Sequence, residues 1–129
     1  MSRIKDFAIV DLFCGIGGLT HGLINEGFDV VAGVDFDKTC RYAYSANNNA
    51  NFIYKDVTLL TPDELNSLYP KNKRKILVGC APCQPFSIFN YKNNNNAERQ
   101  AGDSKWRLLY SFADLIEATQ PEIVSMENV

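Results

Sequence analysis

The chain has 129 residues, a formal net charge of −2 at pH 7 and a hydrophobic content of 46%. A single domain of this size can bury a moderate core. No apolar run approaches the ~20 residues that span a bilayer, and the first residues do not resemble a signal peptide, so we expect a cytoplasmic protein without a membrane segment. The mild acidity argues against binding nucleic acid by bulk electrostatics, because neutralising phosphates needs clustered Lys and Arg.

Five short apolar segments, each partly β-branched, predict strands. They are Ala8–Leu12, Val30–Val34, Phe52–Tyr54, Ile76–Cys80 and Ile123–Met126. Helical patterns lie between them, and strands that alternate with helices form right-handed crossovers. The sequence therefore predicts an α/β fold with a parallel sheet of about five strands, covered by helices on both faces.

The first two helices are predicted from Gly18 to Glu26 and from Asp37 to Ala46. Gly27 is well placed to end the first helix in a left-handed conformation. Asp37 is an acidic cap candidate for the second.

Two further helices follow. Residues 61–64 predict a capping box with proline at the first helical position, which opens a short helix that Pro70 ends. A longer helix is predicted from Trp106 to Ala118 by apolar residues at helical spacing, and it ends before Pro121. The polar stretch from Ile88 to Lys105 is predicted to be a loop, either functional or a tolerated insertion.

Three glycines, Gly15, Gly17 and Gly18, follow the first strand and open the first helix. They let the backbone approach a ligand without a β-carbon in the way. The spacing departs from the dinucleotide-binding fingerprint, because Thr20 stands where a third glycine or an alanine is expected.

Polar and aromatic residues at the ends of the next two strands suggest a nucleoside pocket. Asp35 is placed to bond both hydroxyls of a ribose, Phe36 offers an aromatic face to a purine, and Asp56 could accept from an exocyclic amine. The structural alternative is that Phe36 and Phe13 are core aromatics and that the two aspartates are helix caps.

The four cysteines, Cys14, Cys40, Cys80 and Cys83, are too few and too irregular for a disulfide scaffold. The last two form a C-x-x-C pair, but a zinc site needs two more ligands, and His21 is the one histidine, expected at the surface or in packing. Cys80 belongs to an apolar run and is expected to be buried and unreactive. Cys83 follows the strand, where backbone N–H groups could lower a thiol pKa from roughly 8.5.

Two motifs follow the fourth and fifth strands: Pro-Cys-Gln-Pro-Phe-Ser at residues 82–87 and Glu-Asn-Val at residues 127–129. Ligands of open α/β sheets bind at the carboxyl ends of the strands, so a thiol and a carboxyl group would face one substrate there. This pair suits the addition of a soft nucleophile to an electron-poor ring while a neighbouring acid protonates a ring nitrogen.

These two motifs, with Asp-Leu-Phe-Cys-Gly-Ile-Gly-Gly at residues 11–18, resemble the fourth, sixth and first motifs of cytosine-C5 DNA methyltransferases. They occur in the family's order over residues 9–129. The resemblance implies a Rossmann-like, S-adenosylmethionine-dependent methyltransferase fold in a bacterial restriction–modification system. It also implies that residues 1–129 are the amino-terminal part of the catalytic domain, because the later arginine motif, target recognition domain and closing helix have no counterpart.

The resemblance further implies roles for individual residues. Cys83 would add to C6 of a flipped-out cytosine, and protonated Glu127 would hydrogen bond at N3. Gln84, Ser87 and Asn128 would contact the substrate. The implied S-adenosylmethionine contacts are Phe13, Gly15, Ile16, Gly17, Gly18, Asp35, Phe36, Asp56, Val57, Pro82 and Leu108. No metal is implied.

The expected partners are double-stranded DNA, gripped mainly through parts outside this sequence, and a carboxy-terminal partner chain or the rest of the enzyme. The fifth strand would be interior in the family's sheet, so its apolar residues 123–126 would otherwise form an exposed edge, which is prone to association. Two alternatives remain open: a cytosine-5 methyltransferase acting on transfer RNA, as in the family's RNA-modifying branch, and an inactive module that binds only cofactor or a partner.

Overall fold

The computed structural model describes residues 3–82 and 98–127, with residues 98–105 described through their backbone. Cys83, Gln84, Ser87 and Asn128, which the sequence places at the substrate, lie outside the described residues. Most of the predicted loop after the fourth strand lies outside them as well.

The described chain forms one parallel sheet of five strands in the order β3-β2-β1-β4-β5. The strands are β1 (Phe7–Leu12), β2 (Val30–Asp35), β3 (Asn51–Tyr54), β4 (Arg74–Cys80) and β5 (Ile123–Glu127). Each contains its predicted segment, so the predicted α/β class is confirmed. The strand order reverses at β1, and in such sheets the crevice at the reversal is where ligands bind.

In the described part of the chain, four α-helices connect the strands, together with short 3-10 turns at Lys38–Cys40 and Val57–Leu59. The helices are α1 (Gly18–Asn25), α2 (Arg41–Asn47), α3 (Pro62–Leu68) and α4 (Glu98–Thr119).

The predicted helix ends are confirmed at two places. Gly27 has a φ of 89°, as the expected left-handed terminator of α1. The capping box of α3 is complete, since the Thr61 N–H donates to Glu64 Oε2 over 2.8 Å and the Glu64 N–H donates to Thr61 Oγ1 over 3.2 Å.

The prediction of a loop from Ile88 to Lys105 is wrong over residues 98–105, because α4 begins at Glu98. The apolar spacing that signals a helix begins only at Trp106, so the first turns carry no core-facing pattern. Glu, Arg, Gln and Ala at residues 98–101 are nevertheless good helix formers, and they extend the helix beyond its packed portion.

Core residues on the two faces of the sheet alternate along β1. Val10 and Leu12 face a layer that includes Leu65 of α3 and Phe112 of α4. Ile9 faces the other layer, where Leu23 of α1 packs. Because of this alternation, both faces of the central strands are covered, and successive side chains of β1 point to opposite layers.

The edge strand β5 pairs with β4 alone within the described part of the chain. Ile123, Val124 and Met126 are 45%, 40% and 47% exposed, which agrees with the apolar edge expected from the sequence. None of the helices in residues 3–82 and 98–127 combines the length and the apolar composition needed to cross a bilayer.

Gly17 and Gly22 give a matched test of how the chain turns into α1. Gly17 has a φ of 91°, and an added β-carbon would lie 2.5 Å from Asn48 Nδ2 and 2.7 Å from Tyr44 Cδ2. We predict that Gly17→Ala destabilises the protein by about 2 kcal/mol or more, because it adds backbone strain and a clash.

The control is Gly22→Ala, an exposed helical position where a β-carbon meets nothing within 4 Å. We expect it to stabilise the protein by about 0.5–1 kcal/mol. Urea unfolding of both variants tests the pair, and equal effects would contradict this account of the turn.

Candidate cofactor pocket and catalytic edge

The turn between β1 and α1 is pinned to the end of β2. The Cys14 N–H donates to the Val34 carbonyl over 3.1 Å, and the Gly17 N–H donates back to the Cys14 carbonyl over 2.9 Å. Phe13 and Gly15 have φ angles of 57° and 53°, in the left-handed region. The glycine turn, residues 13–17, is therefore a tight loop with a fixed position at the carboxyl edge of the sheet.

The Asp35 carboxylate joins this turn to the one that follows β2. Its Oδ2 accepts the Gly15 N–H over 2.9 Å, and its Oδ1 accepts the Asp37 N–H over 2.9 Å. Each carboxylate oxygen can accept more than one hydrogen bond, so capacity remains for the hydroxyls of a ribose. The ribose role of Asp35 stays a prediction, and its position is consistent with it.

The two predicted adenine-facing aromatics have different surroundings. Phe36 is 67% exposed beside Asp35, so it is not a core aromatic. Phe13 is half-buried and packs against the core layer that contains Leu12. The alternative that both rings are core aromatics therefore holds in part for Phe13. Phe36 instead has an exposed ring face that can stack on a ligand.

Asp56 has the cap role that the sequence left open. Its Oδ1 accepts the Thr58 N–H and the Thr58 hydroxyl, both over 2.8 Å, and so begins the turn Val57–Leu59. The Val57 side chain is buried in the core. Contacts of Asp56 and Val57 with an adenine edge remain predictions that involve the second Asp56 oxygen and the Val57 backbone.

The space beside the glycine turn is open at Gly15 and at Gly18, the first residue of α1. An added β-carbon at Gly15 or Gly18 would meet nothing within 4 Å, and Ile16 between them is 66% exposed. Of the other predicted contacts, Pro82 is exposed and Leu108 is half-buried. An open backbone turn, a carboxylate with spare acceptor capacity and an exposed ring fit an adenosine-containing cofactor.

A buried polar cluster under the turn was missed by sequence reasoning. Asp11 is 1% exposed, its Oδ2 accepts the Thr20 hydroxyl over 2.7 Å, and its Oδ1 has no hydrogen-bond partner among the described residues. The Thr20 hydroxyl also lies 3.2 Å from the Tyr44 hydroxyl. The available signal was a charged residue inside an otherwise apolar strand, which calls for a specific partner when buried.

Burial raises the pKa of Asp11 from 3.8 to about 6, and the charge of Asp35 adds to the rise while the Thr20 hydrogen bonds oppose it. A carboxyl whose pKa is raised on folding stabilises the folded state when protonated. That contribution is fully present below 3.8 and is lost as the pH rises through about 6.

We therefore predict that Asp11→Asn removes this pH dependence. The free energy of unfolding of the wild type, minus that of the variant, should fall by about 3 kcal/mol from roughly pH 3.5 to roughly pH 7.5. Chemical denaturation at several pH values measures this difference. The contributions of the other carboxyl groups to the pH dependence are shared by both proteins and cancel. A difference that stays constant with pH would contradict the account.

Of the two residues that the sequence predicts to be catalytic, Cys83 and Glu127, the structure describes Glu127. β4 and β5 pair in parallel with Cys80 opposite Glu127, so Glu127 ends its strand beside the segment that leads to Cys83. Glu127 is exposed. Cys80 is half-buried rather than buried as predicted, because it is the last residue of β4, at the rim of the sheet.

The one histidine, His21, is exposed on α1, and its Nδ1 lies 3.2 Å from the Asn47 carbonyl oxygen. Its expected surface position is confirmed. Among the side chains of residues 3–82 and 106–127, no three His, Cys, Asp or Glu residues group as metal ligands.

Comparisons with known proteins agree with the fold. The family of C-5 cytosine-specific DNA methylases matches residues 7–129. Type II methylase M.HgiDII of Herpetosiphon aurantiacus is 53% identical over 122 residues, which cover 95% of this chain and 32% of that protein. Type II methyltransferase M.HgiGI of the same organism is 33% identical, with 93% of this chain and 88% of that protein covered.

A solved Escherichia coli structure, described as a DNA modification methyltransferase encoded within a prophage, superposes with a TM-score of 0.72 and 27% identity. The match covers 95% of this chain and 32% of that one. The chain thus spans about a third of the length of this protein and of M.HgiDII. Because the family match extends over nearly all of its residues, the chain belongs to the C-5 cytosine-specific DNA methylase family.

Proposed function

We propose that this chain is the cofactor-binding and catalytic portion of an S-adenosylmethionine-dependent DNA cytosine-5 methyltransferase from a bacterial restriction–modification system. The observation that carries the proposal is the glycine turn held by Asp35 at the carboxyl edge of the sheet. The family match and the type II methyltransferases among its relatives support the same reaction.

The chain's own residues would hold the cofactor as follows. The Asp35 carboxylate accepts hydrogen bonds from the ribose hydroxyls while it keeps its bonds to Gly15 and Asp37. Phe36 stacks on the adenine, and the open backbone at Gly15 and Gly18 admits the amino-acid end. When bound, S-adenosylmethionine supplies an electrophilic methyl group.

Cys83 and Glu127 divide the work on the base. The Cys83 thiolate forms a bond to C6 of the flipped-out cytosine, and Glu127 in its protonated form hydrogen bonds at N3, so that electron density moves to C5. The methyl group would then pass to C5 as its bond to the sulfonium sulfur breaks and leaves a neutral thioether, and loss of the C5 proton to a base would expel the Cys83 thiolate from C6. Support comes from the register of Glu127 with Cys80, three positions before Cys83.

Substrate contacts are assigned to Gln84, Ser87 and Asn128, beside the two catalytic residues. The net charge of −2 leaves most phosphate binding to the rest of the enzyme. That remainder, in the same polypeptide or in a partner chain, would also cover the exposed apolar edge at β5. The proposed site of action is the bacterial cytoplasm.

The transfer-RNA alternative is not favoured, because the family and the compared relatives are DNA or type II methyltransferases. The alternative of an inactive module differs from the proposal in one respect, turnover, so an activity assay decides between them.

Cys83→Ser in a complete enzyme that contains this chain is predicted to abolish methyl transfer, because a serine hydroxyl is a far weaker nucleophile than a thiolate at neutral pH. Binding of S-adenosylmethionine should be unchanged. Transfer of labelled methyl groups to duplex DNA, with transfer RNA as the parallel substrate, measures the first effect and calorimetry the second. Retained turnover in the variant would refute the nucleophile assignment, and labelling of transfer RNA alone would refute the DNA substrate.

A further inference from the structure

The Asp11 carboxylate is buried, and no cationic side chain that the structure describes pairs with it. It is 1% exposed, and its one side-chain donor is the neutral Thr20 hydroxyl. Among the described side chains, those of residues 3–82 and 106–127, the ion pairs are Lys55–Glu64, Lys73–Asp29 and Arg74–Glu122, none of which includes Asp11. Its negative charge is therefore not neutralised within the described part of the chain.

Asp11 lies in β1, two residues before the glycine turn, and its hydrogen bond with Thr20 joins it to α1, which follows that turn. Burial raises the pKa of the Cys14 thiol, and the negative charges of Asp11 and Asp35 raise it further. Cys14 is a residue of the turn itself, so Asp11 acts electrostatically on the segment that lines the pocket.

Few other groups around Asp11 carry charge. Tyr44 of α2 faces the cluster, and burial raises its pKa, as it does for Cys14, so both stay neutral near pH 7. Thr20 of α1 has no charge, and the neighbours of Asp11 in the sheet are Gly33 of β2 and Val78 of β4. Asp35, whose charge raises the pKa of Asp11, is the second carboxylate of this region, so two negative charges lie at the carboxyl ends of β1 and β2 next to the glycine turn.

We propose that Asp11 is a selectivity residue of the cofactor pocket that favours a positively charged sulfonium methyl donor over the neutral thioether left after methyl transfer. The inference rests on the proposed function. The two ligands share their adenosine and amino-acid parts and differ in the methyl group and its positive charge. An uncompensated negative charge beneath the turn attracts the positively charged sulfonium and has no such charge–charge attraction for the neutral thioether.

The test compares the dissociation constants of S-adenosylmethionine and S-adenosylhomocysteine for the wild type and Asp11→Asn, by calorimetry from roughly pH 5 to pH 8. At roughly pH 7.5 the variant should lose roughly tenfold of the preference for the sulfonium, the scale expected for unit charges about 10 Å apart at an effective dielectric constant of 20. The wild-type preference should grow as Asp11 ionises, and that of the variant should stay flat. Equal ratios in both proteins at every pH would overturn the proposal.

The matched control is Thr20→Val, which removes the hydroxyl bonded to Asp11 and keeps the carboxyl group. It should retain the preference at high pH and should shift its onset to higher pH, because the Thr20 bond lowers the Asp11 pKa. If it loses the preference as fully as Asp11→Asn, the cluster is merely structural and the proposal fails. Wild-type protein that binds neither ligand would instead refute the proposed function.

Discussion

The Asp35 carboxylate is the constraint on which the pocket depends. Its two oxygens accept the backbone N–H groups of Gly15 and Asp37, each over 2.9 Å, so one side chain at the end of β2 holds the turns that follow β1 and β2. Hydrogen bonds to a charged acceptor are roughly twice as strong as neutral ones. The open backbone of the glycine turn and the exposed ring of Phe36 are therefore fixed relative to each other before any ligand binds.

A second constraint lies one layer deeper, where Tyr44 fills the space between the turn and the sheet. Its ring lies against Gly17, and a β-carbon at Gly33 would approach the Tyr44 hydroxyl oxygen to 2.5 Å. Glycine in a strand interior is explained here by close approach of another side chain. The tyrosine, with Thr20 and Asp11, thereby sets the height of α1 above β1 and the position of the turn.

Most of the fold could be predicted because local patterns and tertiary packing agree. The short apolar runs became the five strands, and the capping box at Thr61 formed as a purely local structure. The start of α4 could not be predicted, since residues 98–105 have no apolar periodicity and the extension rests on helix propensity.

The sequence could predict that the candidate site residues lie at strand ends. It could not predict which groups they hydrogen bond. The sequence placed Asp35 at the end of the second strand, as the structure does, but which N–H groups its carboxylate accepts depends on the tertiary arrangement. The Asp11 cluster depends on Tyr44, which lies 24 residues after Thr20 and is brought to it by tertiary packing. Asp56 is a turn cap, and spacing alone could not distinguish that role from a ligand contact.

The most direct test of the central claim is calorimetric titration of S-adenosylmethionine into the wild type and Asp35→Asn. The account predicts that one molecule binds per wild-type chain and that the variant binds at least about tenfold more weakly, because an amide cannot replace the charged acceptor of the ribose and backbone bonds. Far-ultraviolet circular dichroism should show the same fold in both. Equal affinity in the two proteins would contradict the account.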